Sequence, residues 1–132
     1  MQYLGLRAAA SKAREWSYAP YSKFTVGAAV LSKEGKIFVG CNVENISLGL
    51  TICAERSAIA AAVAAGHRNF EAIAIVTDFK KPALPCGGCR QVIAESNPSM
   101  KVLAATMTGD AEQFSLKERL PLPAQGLLEK HV

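Results

Sequence analysis

The placement of the cysteines constrains this chain of 132 residues more than any other feature of its sequence. The four cysteines are Cys41, Cys53, Cys86 and Cys89. We expect no secretory signal, because residues 1–5 contain no basic region followed by an apolar stretch. The expected location is therefore the cytoplasm, where disulfides are rare and cysteines more often bind metal or take part in catalysis.

The alternation of apolar runs with breaking residues predicts an α/β protein. Helices are expected over residues 3–16, 52–65 and 86–95, and strands over residues 24–31, 37–41, 72–77, 102–106 and 113–115. Interleaved strands and helices indicate a sheet covered by helices, and we expect a mixed sheet of about five strands. We predict a single domain over residues 1–132, because this length suits one hydrophobic core. No apolar run reaches the roughly 20 residues that span a membrane.

Three of the cysteines lie at predicted helix starts. Cys53 opens the second helix, and Cys86 and Cys89 are spaced so that they share one face of the third. Helix N-termini offer free N–H groups and positive partial charge, which stabilise thiolates. Three thiolates and one open position are the ligand count of a catalytic zinc site. We therefore predict one zinc ion per subunit, bound by Cys53, Cys86 and Cys89.

Glu55 and two arginines are the predicted chemical partners of this metal. Zinc lowers the pKa of a bound water to about 7. Glu55 follows Cys53 closely enough to take a proton from that water and pass it to a substrate. Three thiolates leave the site anionic, so a nearby cation is needed to restore the acidity of the water. Arg56 and Arg90 directly follow the ligand segments, and we predict that they supply it.

A closed structural zinc site, with Cys41 as the fourth ligand, is the main alternative. Cys53 and Cys86 are about 33 residues apart, more than the roughly 15–20 residues usual between such ligand pairs. This alternative also leaves Glu55 without a role. We therefore expect Cys41 to be a small buried residue.

Four blocks of the sequence resemble the cytidine deaminase family, specifically its small homotetrameric branch. The blocks are residues 18–29, 40–45, 53–56 and 85–91, in the order and at the spacing of that family. Nucleobase deaminases carry a His- or Cys-x-Glu segment followed by Pro-Cys-x-x-Cys, which this chain matches. The resemblance implies a three-layer α-β-α fold in a homotetramer. It also implies hydrolysis of free cytidine and 2′-deoxycytidine to uridine and 2′-deoxyuridine plus ammonia, in pyrimidine salvage.

The same resemblance implies which side chains contact the nucleoside. Asn42 and Glu44 would hold the ribose 3′-hydroxyl, Phe24 would stack on the pyrimidine, and Ala54 would also contact the substrate. Residues two apart on an extended segment share a face, so Asn42 and Glu44 can offer a donor and acceptors to one hydroxyl. Base–aromatic stacking contributes roughly 1–3 kcal/mol. Without the resemblance, Phe24 would be interpreted as a core aromatic, and Asn42 and Glu44 as turn residues.

Two departures from the family pattern bear on substrate choice. Leu48 stands where many relatives carry Tyr, and residues 120–126 lack the aromatic that many relatives have there. The base pocket is therefore expected to be wider or differently closed. This leaves open a second function, deamination of another cytosine-containing small molecule such as blasticidin S.

The charge of the chain bears on its partners. The net charge is +4, but the basic residues are scattered, which indicates a solvated surface rather than a nucleic-acid patch. A nucleic-acid-editing deaminase must hold a flipped base together with its flanking strand. This short chain has no obvious basic channel for such a strand. We therefore expect a small nucleoside as the ligand, with neither nucleic acid nor membrane as a partner.

Overall fold

The computed structural model of the chain describes residues 3–83 and 85–120. The helices are α1 (Leu4–Ala13), α2 (Ala54–Ala64) and α3 (Gly87–Ser96). The strands are β1 (Val26–Ser32), β2 (Ile37–Cys41), β3 (Phe70–Thr77), β4 (Lys101–Thr106) and β5 (Ala111–Ser115). Short 3-10 turns lie at Arg14–Trp16, Leu48–Leu50 and Leu116–Glu118.

The five strands form one mixed sheet in the order β2-β1-β3-β4-β5. β1 pairs antiparallel with both β2 and β3, β3 pairs parallel with β4, and β5 returns antiparallel to β4. The parallel pair requires a crossover connection, and α3 supplies it. The predicted mixed sheet of about five strands is confirmed.

Helices cover both faces of this sheet. Alternate residues of β3 point to opposite faces, so Ala74 packs with Leu6 and Ala10 of α1, whereas Ile75 packs with Ala58 of α2. α3 contributes to the same core cluster as α2. The predicted three-layer α-β-α arrangement is therefore confirmed.

Two glycines let the helices lie directly on the β1–β2 hairpin. A Cβ atom on Gly27 would lie 2.6 Å from the backbone nitrogen of Arg14, just beyond the end of α1. A Cβ atom on Gly40 would lie 2.8 Å from the carbonyl oxygen of Ala54 and closer still to the nitrogen of Ala58. Gly40 thus sets the distance between β2 and the first turns of α2.

The ends of several elements differ from the predicted ones because of extended N-cap residues and one side-chain hydrogen bond to the backbone. The helix expected over 52–65 begins at Ala54, since Cys53 has an extended backbone and occupies the N-cap position. The helix expected over 86–95 begins at Gly87, with Cys86 as its N-cap. The strand expected from residue 24 begins at Val26, because the carbonyl of Phe24 accepts a hydrogen bond from the Asn42 side chain instead.

Two expectations concern residues beyond the described part. Residues 120–126, which lack the aromatic expected from relatives, lie outside the described part except for Leu120. The single domain over residues 1–132 stays a prediction. Within residues 3–83 and 85–120, every helix is too short or too polar to cross a lipid bilayer.

Candidate active site

The three predicted zinc ligands meet on one side of the sheet. The sulfur atoms of Cys53, Cys86 and Cys89 all lie within 4.8 Å of one another. Sulfur atoms bound tetrahedrally to zinc at about 2.3 Å lie roughly 3.8 Å apart, so small shifts of these side chains would bind the ion. Cys41 is not part of this cluster of described residues, so the four-cysteine structural site does not form.

Two helix N-termini converge on these sulfur atoms. Cys53 caps α2, Cys86 caps α3, and the sulfur of Cys86 accepts a hydrogen bond of 3.4 Å from the backbone N–H of Cys89. Both helix macrodipoles therefore direct positive partial charge at the thiolates. This charge offsets part of the negative charge that three thiolates would place around a divalent ion.

Electrostatics within the cluster favour a thiolate at Cys53. The hydrogen bond from the Cys89 thiol, followed by contact with Arg56, lowers the pKa of Cys53 to about 5 despite its burial. The pKa of Cys89 is raised, first by that same bond to Cys53 and then by burial. A thiol that coordinates a metal ion loses its proton, so this donor set suits zinc.

The two predicted arginines occupy different places around the ligands. Arg56 contacts Cys53 and donates a hydrogen bond of 2.9 Å to the carbonyl oxygen of Thr51. Arg90 donates to two backbone carbonyl oxygens, that of Pro85 at 2.8 Å and that of Arg119 at 2.9 Å. Arg56 therefore lies against a thiolate, whereas Arg90 fastens the residue before Cys86 to the segment after β5.

Glu55 lies on the first turn of α2, beside the ligands and on the wall of a cavity of about 280 Å³. Its side chain is only 6% exposed. Burial raises the pKa of this carboxyl group, and the neighbouring Cys53 adds to the effect. The cavity approaches the size of small-molecule sites in proteins. The cysteine cluster and Glu55 therefore lie within reach of one small ligand.

The four predicted substrate contacts line the same cavity, namely Phe24, Asn42, Glu44 and Ala54. Asn42 is buried. Its side-chain amide donates a hydrogen bond of 2.7 Å to the carbonyl oxygen of Phe24 and accepts one of 2.9 Å from the N–H of Val26. The amide therefore fixes the backbone on both sides of Thr25. Lys23, just before Phe24, has a φ of 62°. Such strained backbone is often found next to binding sites.

Glu44 is held by the turn that precedes Phe24. Its carboxylate accepts hydrogen bonds from the N–H groups of Tyr21 and Ser22, at 3.0 and 3.1 Å, and from the Ser22 hydroxyl. The hydroxyl of Ser22 is the main reason that the pKa of Glu44 is lowered. Glu44 therefore presents an ionised carboxylate to the cavity.

Several cavity residues escaped the sequence analysis, and they are Val26, Thr51, Ile75, Thr77 and Ala83. Val26, Ile75 and Thr77 are brought there by the pairing of β1 with β3, in which Val26 lies opposite Thr77. The end of a buried strand at Thr77 is the one local signal that could have indicated it. Leu48 is 74% exposed and is not among the described side chains that line the cavity.

An α/β fold in which a three-cysteine cluster and a buried carboxyl group border one cavity defines a zinc enzyme rather than a structural zinc module. Comparison with known proteins agrees. Residues 3–106 match the sequence model of the cytidine and deoxycytidylate deaminase zinc-binding region. The chain therefore belongs to the cytidine and deoxycytidylate deaminase family, and zinc is its cofactor.

Curated relatives and solved structures lead to the same family. The chain is 50% identical to the cytidine deaminase of Sporosarcina psychrophila over 117 residues, which cover 88% of this chain and 86% of the relative. It is also 50% identical to the cytidine deaminase of Halalkalibacterium halodurans over 113 residues, or 85% and 86% of the two chains. The crystal structure of cytidine deaminase from Burkholderia pseudomallei superposes with a TM-score of 0.90 at 48% identity, covering 94% of this chain and all of that one.

Proposed function

We propose that the protein is a zinc-dependent deaminase that hydrolyses free cytidine and 2′-deoxycytidine to uridine and 2′-deoxyuridine, with release of ammonia. The observation that carries the proposal is the position of buried Glu55 on the cavity wall, on the helix turn that follows Cys53. The 50% identity to cytidine deaminases over most of the chain supports the choice of substrate.

Cys53, Cys86 and Cys89 would hold the metal, with Arg56 against the thiolate of Cys53. When bound, zinc supplies a Lewis acid that makes a water molecule acidic at neutral pH. Glu55 takes a proton from the water that attacks C4 and delivers it to the ring nitrogen N3. Glu55 then carries the second proton of that water to the amine that leaves C4. The C4–N bond breaks, ammonia departs, and the new C4–O bond becomes the carbonyl of uridine.

The sugar would bind at Asn42 and Glu44. An amide nitrogen carries two N–H groups, and the carbonyl of Phe24 uses one of them. A carboxylate accepts about four hydrogen bonds, and residues 21 and 22 provide three to Glu44. A hydroxyl can therefore accept from Asn42 while it donates to Glu44. This pairing suits the 3′-hydroxyl that cytidine and deoxycytidine share.

Phe24 and Ala54 would contact the base. Phe24 offers a ring for stacking. Ala54 is the first residue of α2, where backbone N–H groups have no partner inside the helix and can bind a ring carbonyl. Ala54 is fully buried within the protein and lines the cavity.

We also propose that the enzyme is a homotetramer that works in cytoplasmic pyrimidine salvage. Five apolar side chains in one segment are 40–80% exposed, and they are Val43, Ile46, Leu48, Leu50 and Ile52. Exposed apolar side chains concentrated in one segment are typical of a protein–protein interface. Light scattering on Ile46→Asp, with Leu4→Asp on the exposed face of α1 as control, tests this. We expect only the first variant to lose the tetrameric mass, and a wild type of 14.0 kDa would contradict the assembly.

The activity test follows the loss of ultraviolet absorbance as cytidine becomes uridine. Wild type and Glu55→Ala are compared at equal zinc content, with 2′-deoxycytidine, deoxycytidylate and blasticidin S as further substrates. We expect turnover of both nucleosides by wild type and at least a 100-fold loss in the variant. A zinc-loaded wild type that leaves cytidine unchanged but deaminates blasticidin S would replace this proposal with the second function.

A further inference from the structure

Phe79 makes the aromatic contact on which this inference rests. Its side chain is 58% exposed, in the segment that follows β3. Its ring is perpendicular to that of Phe24, with centroids 6.1 Å apart and planes at 89°. This T-shaped arrangement is one of the two favoured geometries for aromatic pairs. An exposed aromatic side chain thus contacts a ring that lines the cavity.

Hydrogen bonds hold the segment of Phe79 in place. The backbone N–H of Phe79 donates a hydrogen bond of 3.2 Å to the hydroxyl of Thr77. Thr77 is 1% exposed and lines the cavity. The hydroxyl of Thr25 donates a hydrogen bond of 3.2 Å to the carboxylate of Asp78. Residues 24–25 and 77–79 are therefore joined by a ring contact and a side-chain hydrogen bond.

The other bonds to Phe24 fix its backbone and leave its ring free to turn. Its carbonyl oxygen accepts a hydrogen bond from the side-chain amide of Asn42, and its N–H donates one of 3.0 Å to the hydroxyl of Ser22. Neither bond restricts rotation about the Cβ–ring bond, which is broad for phenylalanine. The perpendicular ring of Phe79 packs against the Phe24 ring and opposes this rotation.

We propose that Phe79 is a positioning residue that holds the ring of Phe24 in the orientation in which it stacks on the base. The inference rests on the proposed function, in which Phe24 contacts the pyrimidine. Phe79 acts through Phe24, so its loss weakens binding of the base and leaves proton transfer by Glu55 unchanged. It therefore affects KM much more than kcat.

The experiment compares zinc-loaded wild type with Phe79→Ala, Phe79→Leu and Phe79→Tyr. Leu keeps an apolar side chain without a ring, and Tyr restores the ring. The first readout is NMR relaxation of the Phe24 ring in protein labelled on phenylalanine, without substrate. The second readout is KM and kcat for cytidine, with zinc content and Tm measured for each variant. Because Phe79 is exposed, we expect all three variants to fold.

We expect greater mobility of the Phe24 ring in the Ala and Leu variants, and a KM about three- to tenfold higher with kcat within about twofold. The Tyr variant should match wild type in both readouts. Unchanged mobility of the Phe24 ring in Phe79→Ala would overturn the inference. A KM raised as much in Phe79→Tyr as in Phe79→Ala would also overturn it. A wild type inactive on cytidine would refute the proposed function alone, since ring mobility still decides the role of Phe79.

Discussion

Replacement of Gly40 by alanine tests whether the packing of β2 against α2 positions the site. Gly40 lies in β2, opposite Ala28 of β1. The added Cβ atom would lie 2.8 Å from both the carbonyl oxygen of Ala54 and the carbonyl carbon of Ser57, and nearer still to the nitrogen of Ala58. All three atoms belong to the backbone of α2, so no side-chain rotation can relieve the overlap.

The size of the effect follows from this geometry. Overpacking of a core costs about 1–3 kcal/mol where side chains can adjust. Here a whole helix must move by roughly 0.5–1 Å, so we expect a loss of about 3 kcal/mol in the free energy of unfolding. For a chain of this size, that lowers Tm by about 10 °C. α2 carries Cys53 and Glu55, and a displacement near 1 Å costs about 100-fold in rate.

The assay is thermal unfolding followed by circular dichroism at fixed zinc concentration, together with kcat for cytidine. Gly5→Ala is the matched control, because a Cβ atom there meets nothing within 4 Å and Gly5 lies on the exposed face of α1. Alanine in a helix is favoured over glycine by up to about 1 kcal/mol, so the control should be neutral or stabilised.

The reasoning fails if Gly40→Ala unfolds at the wild-type temperature. It also fails if Tm drops by about 10 °C while kcat stays within twofold of wild type. The first result would mean that β2 and α2 are not in backbone contact. The second would mean that the position of α2 on the sheet does not control the site.

Three further predictions concern the metal and the surface. Removal of zinc by a chelator should lower the unfolding free energy by about 2.7 kcal/mol relative to protein with free zinc at 100 times its Kd, and calorimetry showing equal Tm would contradict this. Arg90→Ala should weaken zinc binding about tenfold in a chelator competition, because the carbonyls of Pro85 and Arg119 lose their shared donor. Arg90→Lys should restore little of the zinc affinity, because lysine cannot donate to both carbonyls with the same geometry. Glu34 accepts a hydrogen bond from His67, which lowers its pKa, so its stabilising effect is lost as pH falls through that pKa. Acid titration of unfolding between about pH 5 and 3 should therefore show a steeper loss in wild type than in Glu34→Gln, and parallel curves would contradict it.

The metal ligands were predictable because their chemistry constrains local sequence. A thiolate at a helix start needs a cysteine at the cap, and Cys53 and Cys86 occupy such caps. Contacts made through the fold carry no such local signal. Thr77 reaches the cavity through strand pairing, and Arg90 meets the carbonyl of a residue far along the chain. The position of Arg90 directly after Cys89 predicts a place near the metal, whereas the carbonyls that it binds are brought to it only by the fold.

The order of the ligands along the chain has a consequence for biosynthesis. The hairpin, α1, α2 and β3 are all encoded before residue 78, and β2, β1 and β3 are neighbours in the sheet. During translation this antiparallel half can assemble first, because chains emerge from the N-terminus. Until Cys86 and Cys89 leave the ribosome, the nascent protein presents only one of the three ligands. Metal capture therefore becomes a late event of synthesis, and a chain truncated before residue 86 carries no complete zinc site.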